Sequence, residues 1–154
     1  MKGLKWGITT FAAAALLLSG CGENNDKPPK SKLLMTSSQV QSTLGDYCWE
    51  VDGKQKCEDS DDIVDVLEKE DAITVTLNTP MTFSIDSKDR PQTGTLEWVS
   101  DNGEKGKETL KGSLVYSPKK VGIYYYTYTA NWDGSGKKGY KGKVQYFYKV
   151  EALQ

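Results

Sequence analysis

Cysteine is the most reactive residue type in this sequence, and the chain has three, at Cys21, Cys48 and Cys57. Histidine is absent from all 154 residues. Without histidine the chain can form neither a Ser-His-Asp nor a Cys-His arrangement for nucleophilic catalysis. Zinc sites that use histidine are excluded too, and three thiolates are one short of a four-cysteine site. The sequence therefore predicts no metal and no other cofactor.

Cys21 ends the stretch Leu18–Cys21 (Leu-Ser-Gly-Cys), which follows a positively charged start and an apolar run, as in secretory signal peptides. The charge-free run, residues 7–19, is too short to span a ~30 Å hydrocarbon core as a helix. The stretch resembles the lipobox of bacterial lipoproteins. The resemblance implies that the Cys21 thiol receives a diacylglycerol and that cleavage after Gly20 makes Cys21 the mature N-terminus.

The chain then divides into a signal peptide over residues 1–20, expected to be helical, a lipidated tether over 21–40 and one domain over 41–154. Residues 22–32 contain no apolar residue large enough to build a core, so we expect a disordered tether. The full chain has a net charge of -1, and removing a signal peptide with two lysines leaves -3. This small negative net charge argues against a nucleic-acid partner.

Cys48 and Cys57 flank Asp52-Gly53, a strong signal for a two-residue hairpin turn. Folding the chain there places the two cysteines opposite each other as a non-hydrogen-bonded pair, where side chains of neighbouring strands come closest. An exported chain meets oxidising conditions, so we predict a disulfide. The Tyr47-Cys48-Trp49 stretch with Cys57 also resembles an element of small lipoproteins of Bacillus-type bacteria, a resemblance that implies no activity.

Alternating apolar residues predict strands over residues 72–77, 81–85, 95–99 and 109–116, with Leu110 and Leu114 able to face inward. A short helix is expected after Ser60 or Asp61, and the acidic residues around it lack the spacing of a calcium loop. The two strongest strands cover 123–132 and 144–152. Their predicted inward residues are Tyr124, Tyr126, Tyr128, Ala130 and Trp132 on the first, and Val144, Tyr146, Tyr148 and Val150 on the second.

Six or seven short strands and one short helix favour an all-β antiparallel sandwich. Residues 121–126 resemble the Gly-x-Tyr-x-Cys start of a late immunoglobulin strand, with Tyr126 at the cysteine position and Tyr124 as the tyrosine corner. Trp98 is similar to the inward tryptophan of a middle strand. The resemblance implies an immunoglobulin-like or fibronectin-III-like sandwich over about residues 70–152, without the inter-sheet disulfide.

Two groups of residues are candidates for binding. Tyr125 and Phe147 are predicted to point outward from the strongest strands. The glycine- and lysine-rich residues 133–143 are predicted to form a mobile basic tip that contacts anionic lipid or wall polymer. Its candidate binding residues are Lys137, Lys138, Tyr140 and Lys141. The structural alternatives are a tyrosine-filled core for the aromatic strands and a solvated hairpin loop for the lysines.

The sequence favours a non-catalytic binding or structural module of the cell envelope, anchored by lipid on the extracytoplasmic face of the membrane. Its expected partners are the membrane itself and an envelope protein or wall polymer. A hydrolase that uses two carboxylates needs no histidine, and Glu97 and Asp101 are the candidate pair for that alternative. A third interpretation is an accessory or inhibitor subunit of a membrane complex.

Overall fold

The computed structural model describes residues 27–110 and 112–154, so the predicted signal peptide and Cys21 lie outside the described residues. The described chain folds into strands and one four-residue helix, as the sequence predicted. The elements in chain order are β1 Ser31–Leu34, β2 Gln39–Gln41, β3 Thr43–Val51, β4 Lys54–Glu58, α1 Ile63–Val66, β5 Ile73–Thr76, β6 Pro80–Ile85, β7 Thr93–Ser100, β8 Lys105–Thr109, β9 Leu114–Tyr116, β10 Gly122–Asp133 and β11 Lys141–Leu153.

Two sheets pack face to face. The small sheet has the order β2-β1-β6-β9, and the large sheet has the order β4-β3-β11-β10-β7-β8. Strand β5 adds to the large sheet by parallel pairing with the last residues of β11. The predicted all-β sandwich is confirmed. From β5 onward, β6 and β9 of the small sheet face β7, β10 and β11 of the large sheet.

The core is built from aromatic residues on β10 and β11, because alternate residues of a strand share one face. These two strands pair along their whole length, and every residue predicted to face inward is at most 5% exposed. Phe83 of the small sheet completes the layer, with its ring centroid 5.1 Å from that of Tyr128 and 5.3 Å from that of Tyr148. Aromatic side chains thus fill the space between the two sheets.

Tyr124 is a tyrosine corner, as predicted. Its Oη donates a hydrogen bond to the backbone oxygen of Lys120 at 3.1 Å, which fixes the loop before β10. Trp98 packs edge-to-face on Tyr124 with ring centroids 5.6 Å apart, and it faces the core from the side of the sandwich. A Cβ at Gly106 of β8 would clash with the Trp98 ring, so this glycine makes room for the indole.

The predicted boundary between tether and domain at residues 40 and 41 differs from the structure. Strand β1 lies within the expected tether, β2 begins in it, and Leu33 is fully buried in the core. Ser31 is also fully buried, with its Oγ 2.6 Å from Tyr148 Oη. The polar composition of this stretch predicted disorder, but β1 is ordered because it pairs with β6, which is distant in sequence.

The single strand expected over residues 109–116 is interrupted, because β8 ends at Thr109 and β9, in the other sheet, begins only at Leu114. Strand β8 pairs with β7 in the large sheet, whereas β9 pairs with β6 in the small one. In β9 the inward residue is Val115, and Leu114, which was expected to face inward, is 58% exposed. A one-residue shift in register moves every side chain of a strand to the other face.

Helix α1 lies outside the large sheet and begins after Asp62, whose Oδ1 accepts the Val64 N–H at 2.9 Å. Leu67, just beyond its last residue, is only 2% exposed. Lys149 of β11 donates its Nζ to the backbone oxygens of residues 67, 68 and 70 and holds this segment against the sheet. No helix within residues 27–110 and 112–154 is long and apolar enough to cross a membrane.

Candidate functional site

The folded domain begins soon after the predicted lipidation site. Pro28 is already buried, and the backbone oxygen of Pro29 accepts a hydrogen bond from Tyr146 Oη at 2.7 Å. Lys27 is the sixth residue after Cys21. A chain of six residues reaches at most about 20 Å when fully extended. The predicted anchor point therefore lies within about 20 Å of the domain.

The predicted disulfide between Cys48 and Cys57 is confirmed. The two residues face each other across β3 and β4 with Cα atoms 4.0 Å apart, and their sulfurs are bonded. Asp52 and Gly53 both have positive φ, as a type I′ hairpin turn requires. The disulfide therefore links the two strands of the hairpin beside the turn that sets their register.

The outward aromatic pair is only partly available for binding. Tyr125 is half-buried in the shallow groove between α1 and β8. Phe147, predicted to be outward and accessible, is only 4% exposed, so its side chain is not accessible at the surface as expected. Its ring lies over Gly45 of β3, where any Cβ would clash with it. The missing side chain at Gly45 is what lets the ring lie flat against the sheet.

The predicted mobile basic tip is a loop held by hydrogen bonds. The backbone N–H of Lys138 donates to the buried carboxylate of Asp89 at 2.6 Å, and the Gly139 N–H donates to the Gly136 oxygen at 3.0 Å. Lys137, Lys138 and Lys141 are exposed on this framework. Tyr140, predicted to bind a ligand, is half-buried instead, with its ring centroid 5.2 Å from that of Trp49.

Asp89 is the residue that sequence reasoning missed at this end of the sandwich. It is only 5% exposed, and its backbone oxygen accepts the Trp132 Nε1–H at 2.9 Å. Gly136 packs so closely on its carboxylate that a Cβ there would clash. Asp89 therefore joins the β6–β7 loop to the β10–β11 loop. Nothing in the local sequence distinguishes it from its exposed charged neighbours Lys88 and Arg90.

The two carboxylates of the hydrolase alternative do not form a pair. Glu97 lies within β7 and accepts a hydrogen bond from Lys107 Nζ at 2.6 Å, whereas Asp101 lies in the turn beyond the strand. Four residues of extended chain place their Cα atoms about 13 Å apart. Carboxylates that cleave glycosides stand about 5–9.5 Å apart. The structure therefore does not bring these two residues together as an acid–base pair.

A cleft that the sequence did not predict opens between the two sheets at the opposite end of the sandwich. It has a volume of about 450 Å³, and we call it the aromatic cleft. Its apolar walls come from β7 and β10 on one side and β9 on the other, and charged side chains surround its mouth. The wall residues are Leu96, Trp98, Tyr124, Tyr126, Val115 and Tyr116, and the charged residues are Glu104, Glu108, Lys119 and Lys120.

The aromatic cleft combines apolar and charged side chains. Glu104 and Lys120 form an ion pair at 2.7 Å beside the mouth. Burial raises the pKa of Tyr124 and, more strongly, that of Tyr126. Leu114 and Tyr116 of β9 add exposed apolar surface, at 58% and 62%. A concave, mostly apolar site with a few polar groups has the general character of a ligand-binding pocket.

Comparison with known proteins found no matching family model, no matching curated protein and no matching solved structure.

Proposed function

We propose that this protein is a lipid-anchored, extracytoplasmic module that binds or spaces a component of the cell envelope without catalysis. The observation that supports the proposal is the short distance between the lipobox-like Leu18–Cys21 stretch and the buried residue Pro28. A diacylglycerol on Cys21 holds a chain stably because two acyl chains suffice for anchoring. With so few residues between, the whole sandwich is kept at the membrane surface.

The aromatic cleft is the binding surface in this proposal, and its occupant is an extended segment of an envelope protein. Strand β9 is the last strand of the small sheet, so its outer edge offers backbone groups for pairing. Leu114 and Tyr116 project from the same strand and are largely exposed. An extended peptide that adds a strand to a sheet edge binds through main-chain hydrogen bonds, and pockets beside the edge take its alternate side chains. Here the aromatic cleft is the pocket beside that edge.

The anchor is tested by metabolic labelling of cells with radioactive palmitate. The full-length protein is expected to incorporate label and to sediment with membranes, because the Cys21 thiol carries the lipid. The Cys21→Ala variant is expected to lose both properties. A variant that is still labelled and retained would contradict the proposed anchoring.

The aromatic cleft is tested by placing a photo-crosslinking amino acid at position 116 of the full-length protein in cells. The expected result is an adduct that maps to one extended segment of an envelope protein. The substitution Leu114→Glu should abolish the adduct, whereas Val64→Glu should not, because Val64 is similarly apolar and exposed but lies on α1. Equal loss with both variants, or no adduct at position 116, would overturn the assignment.

A further inference from the structure

Basic residues collect at one end of the sandwich, which we call the basic end. It consists of residues 27–30, 50–54, 86–92 and 133–143. These segments hold nine lysines and arginines against five acidic residues, a net charge of +4 in a chain whose total is -1. One of the acids, Asp89, is buried and receives a backbone N–H, so it faces the loops rather than the solvent.

Backbone pairing brings the four segments together although they are far apart in sequence. Ser31 pairs with Ile85, and the N–H of Asp86 donates to the oxygen of Lys30 at 2.8 Å, which joins the first segment to the third. The loop 86–92 is joined to 133–143 through Asp89. Lys141 pairs with Glu50, which brings the hairpin turn beside the same loop.

The opposite end, with the aromatic cleft, has no such excess. The turns at residues 77–79, 101–104 and 117–121 carry two acids and two bases. One acid and one base of these four, Glu104 and Lys120, are an ion pair. The net charge of these segments is therefore positive at the end of the sandwich where the described chain begins, and it is zero for the turns at the other end.

We propose that the basic end docks on anionic lipid headgroups, so that the aromatic cleft faces away from the membrane. The inference rests on the proposed lipid anchor, because a chain of six residues from Cys21 to Lys27 keeps this end within about 20 Å of the bilayer. An anionic leaflet attracts basic side chains within a Debye length of about 8 Å. Hydrogen bonds to Asp89 and within the loop fix the backbone that carries Lys137 and Lys138.

The test uses the mature chain, residues 21–154, with Cys21→Ser so that no lipid contributes to binding. Its partitioning is measured on vesicles of phosphatidylcholine with and without phosphatidylglycerol. Each basic residue near an anionic surface contributes roughly fivefold, so Lys137→Gln with Lys138→Gln should weaken partitioning about 25-fold. The matched control is Lys105→Gln with Lys119→Gln at the other end, which should change it less than about twofold.

Three outcomes would overturn the proposal. The first is equal binding to vesicles with and without phosphatidylglycerol. The second is an equal loss from both double variants. The third is displacement of the chain from vesicles by soluble polyglycerol phosphate at lower phosphate concentration than the vesicles supply, which would make wall polymer the ligand. Palmitate labelling of Cys21 is independent of all three, so failure of docking is distinguishable from failure of the anchor.

Discussion

The core of the sandwich is covered by a loop at the basic end, whereas it borders the aromatic cleft at the other end. At the basic end Trp49 and Trp132 pack edge-to-face with centroids 5.0 Å apart, and Tyr140 covers Trp49. At the other end Trp98 and Tyr124 make a similar edge-to-face pair, but this pair remains in the wall of an open cleft. The same residue types therefore lie under a loop at one end of the sandwich and line a cleft at the other.

The loop that makes the difference is residues 133–143. Asp89 holds it at one side, and Tyr140 places a ring on the core. The corresponding turn at the cleft end, residues 101–104, is short and is held by Ser100 and Asn102, whose side chains bond to each other at 2.6 Å. The core on that side borders the aromatic cleft, which Glu104 of this turn also lines.

The largest expected effect is alkaline unfolding. Burial raises the pKa values of Tyr126, Tyr146 and Tyr148 well above the ordinary value of a tyrosine. The folded state thus holds these protons more tightly than the unfolded state. This contribution to stability is complete below about pH 10 and is lost as the pH rises above that value.

Phenolate absorbance measured together with near-ultraviolet circular dichroism tests this expectation. The buried residues Tyr126, Tyr146 and Tyr148 should ionise only together with loss of the near-ultraviolet signal. Their ionisation while the fold persists would show that the core is open to solvent.

The tryptophan pairs provide the next largest effect. Trp132→Ala should cost about 3–5 kcal/mol in the free energy of unfolding, because a large side chain leaves a cavity in the core. Trp98→Ala should cost about 1–2 kcal/mol, since the indole is only half-buried and its loss widens an existing cleft. Urea denaturation of both variants measures the difference. Equal costs would mean that the two ends are closed to the same degree.

Removal of the disulfide should have a smaller effect, confined to the β3–β4 hairpin. Replacing Cys48 and Cys57 together with serine opens a loop of about ten residues, which corresponds to about 2.5–3 kcal/mol on the chain-entropy model. Amide hydrogen exchange should increase in β4, which is exposed along its length and is an edge strand. Exchange that increases equally around the aromatic cleft would contradict this locality.

The smallest expected effect concerns the tyrosine corner. Tyr124→Phe removes the hydrogen bond from Oη to the backbone oxygen of Lys120 and should cost about 0.5–1.5 kcal/mol. The control is Tyr125→Phe on the opposite face of the same strand, which should cost less than about 0.5 kcal/mol. Thermal denaturation compares the two. A larger loss for the control would show that the outer face contributes more to stability than the corner does.

Local rules predicted the parts of this fold whose partners are close in sequence. The Asp52-Gly53 turn sets the register of its own hairpin, and the alternation in β10 and β11 places their tyrosines in the core. Strands β1 and β9 were misjudged because each pairs with β6, which no local pattern indicates. For the same reason the sequence could not show that Asp89 is buried.

The exposure of the candidate binding residues could likewise be predicted where it depends on local sequence, but not where it depends on a strand distant in sequence. Lys137, Lys138 and Lys141 are exposed, as a glycine-rich loop between two strands implies. The burial of Phe147 depends on Gly45, a residue in a strand that only the fold brings alongside. The aromatic cleft is lined by residues of both sheets, which are distant in sequence. Alternation identifies the residues that face inward but not the places where the opposing sheet ends.

The orientation of the sandwich on the membrane is tested most directly by energy transfer to a lipid-bound acceptor. The lipidated protein is placed in anionic vesicles with a dye at a new cysteine, either Lys137→Cys at the basic end or Lys119→Cys at the cleft end. The twelve residues of β10 separate these ends by about 35 Å. We predict strong transfer from position 137 and weak transfer from position 119. Equal transfer, or the reverse order, would contradict the account.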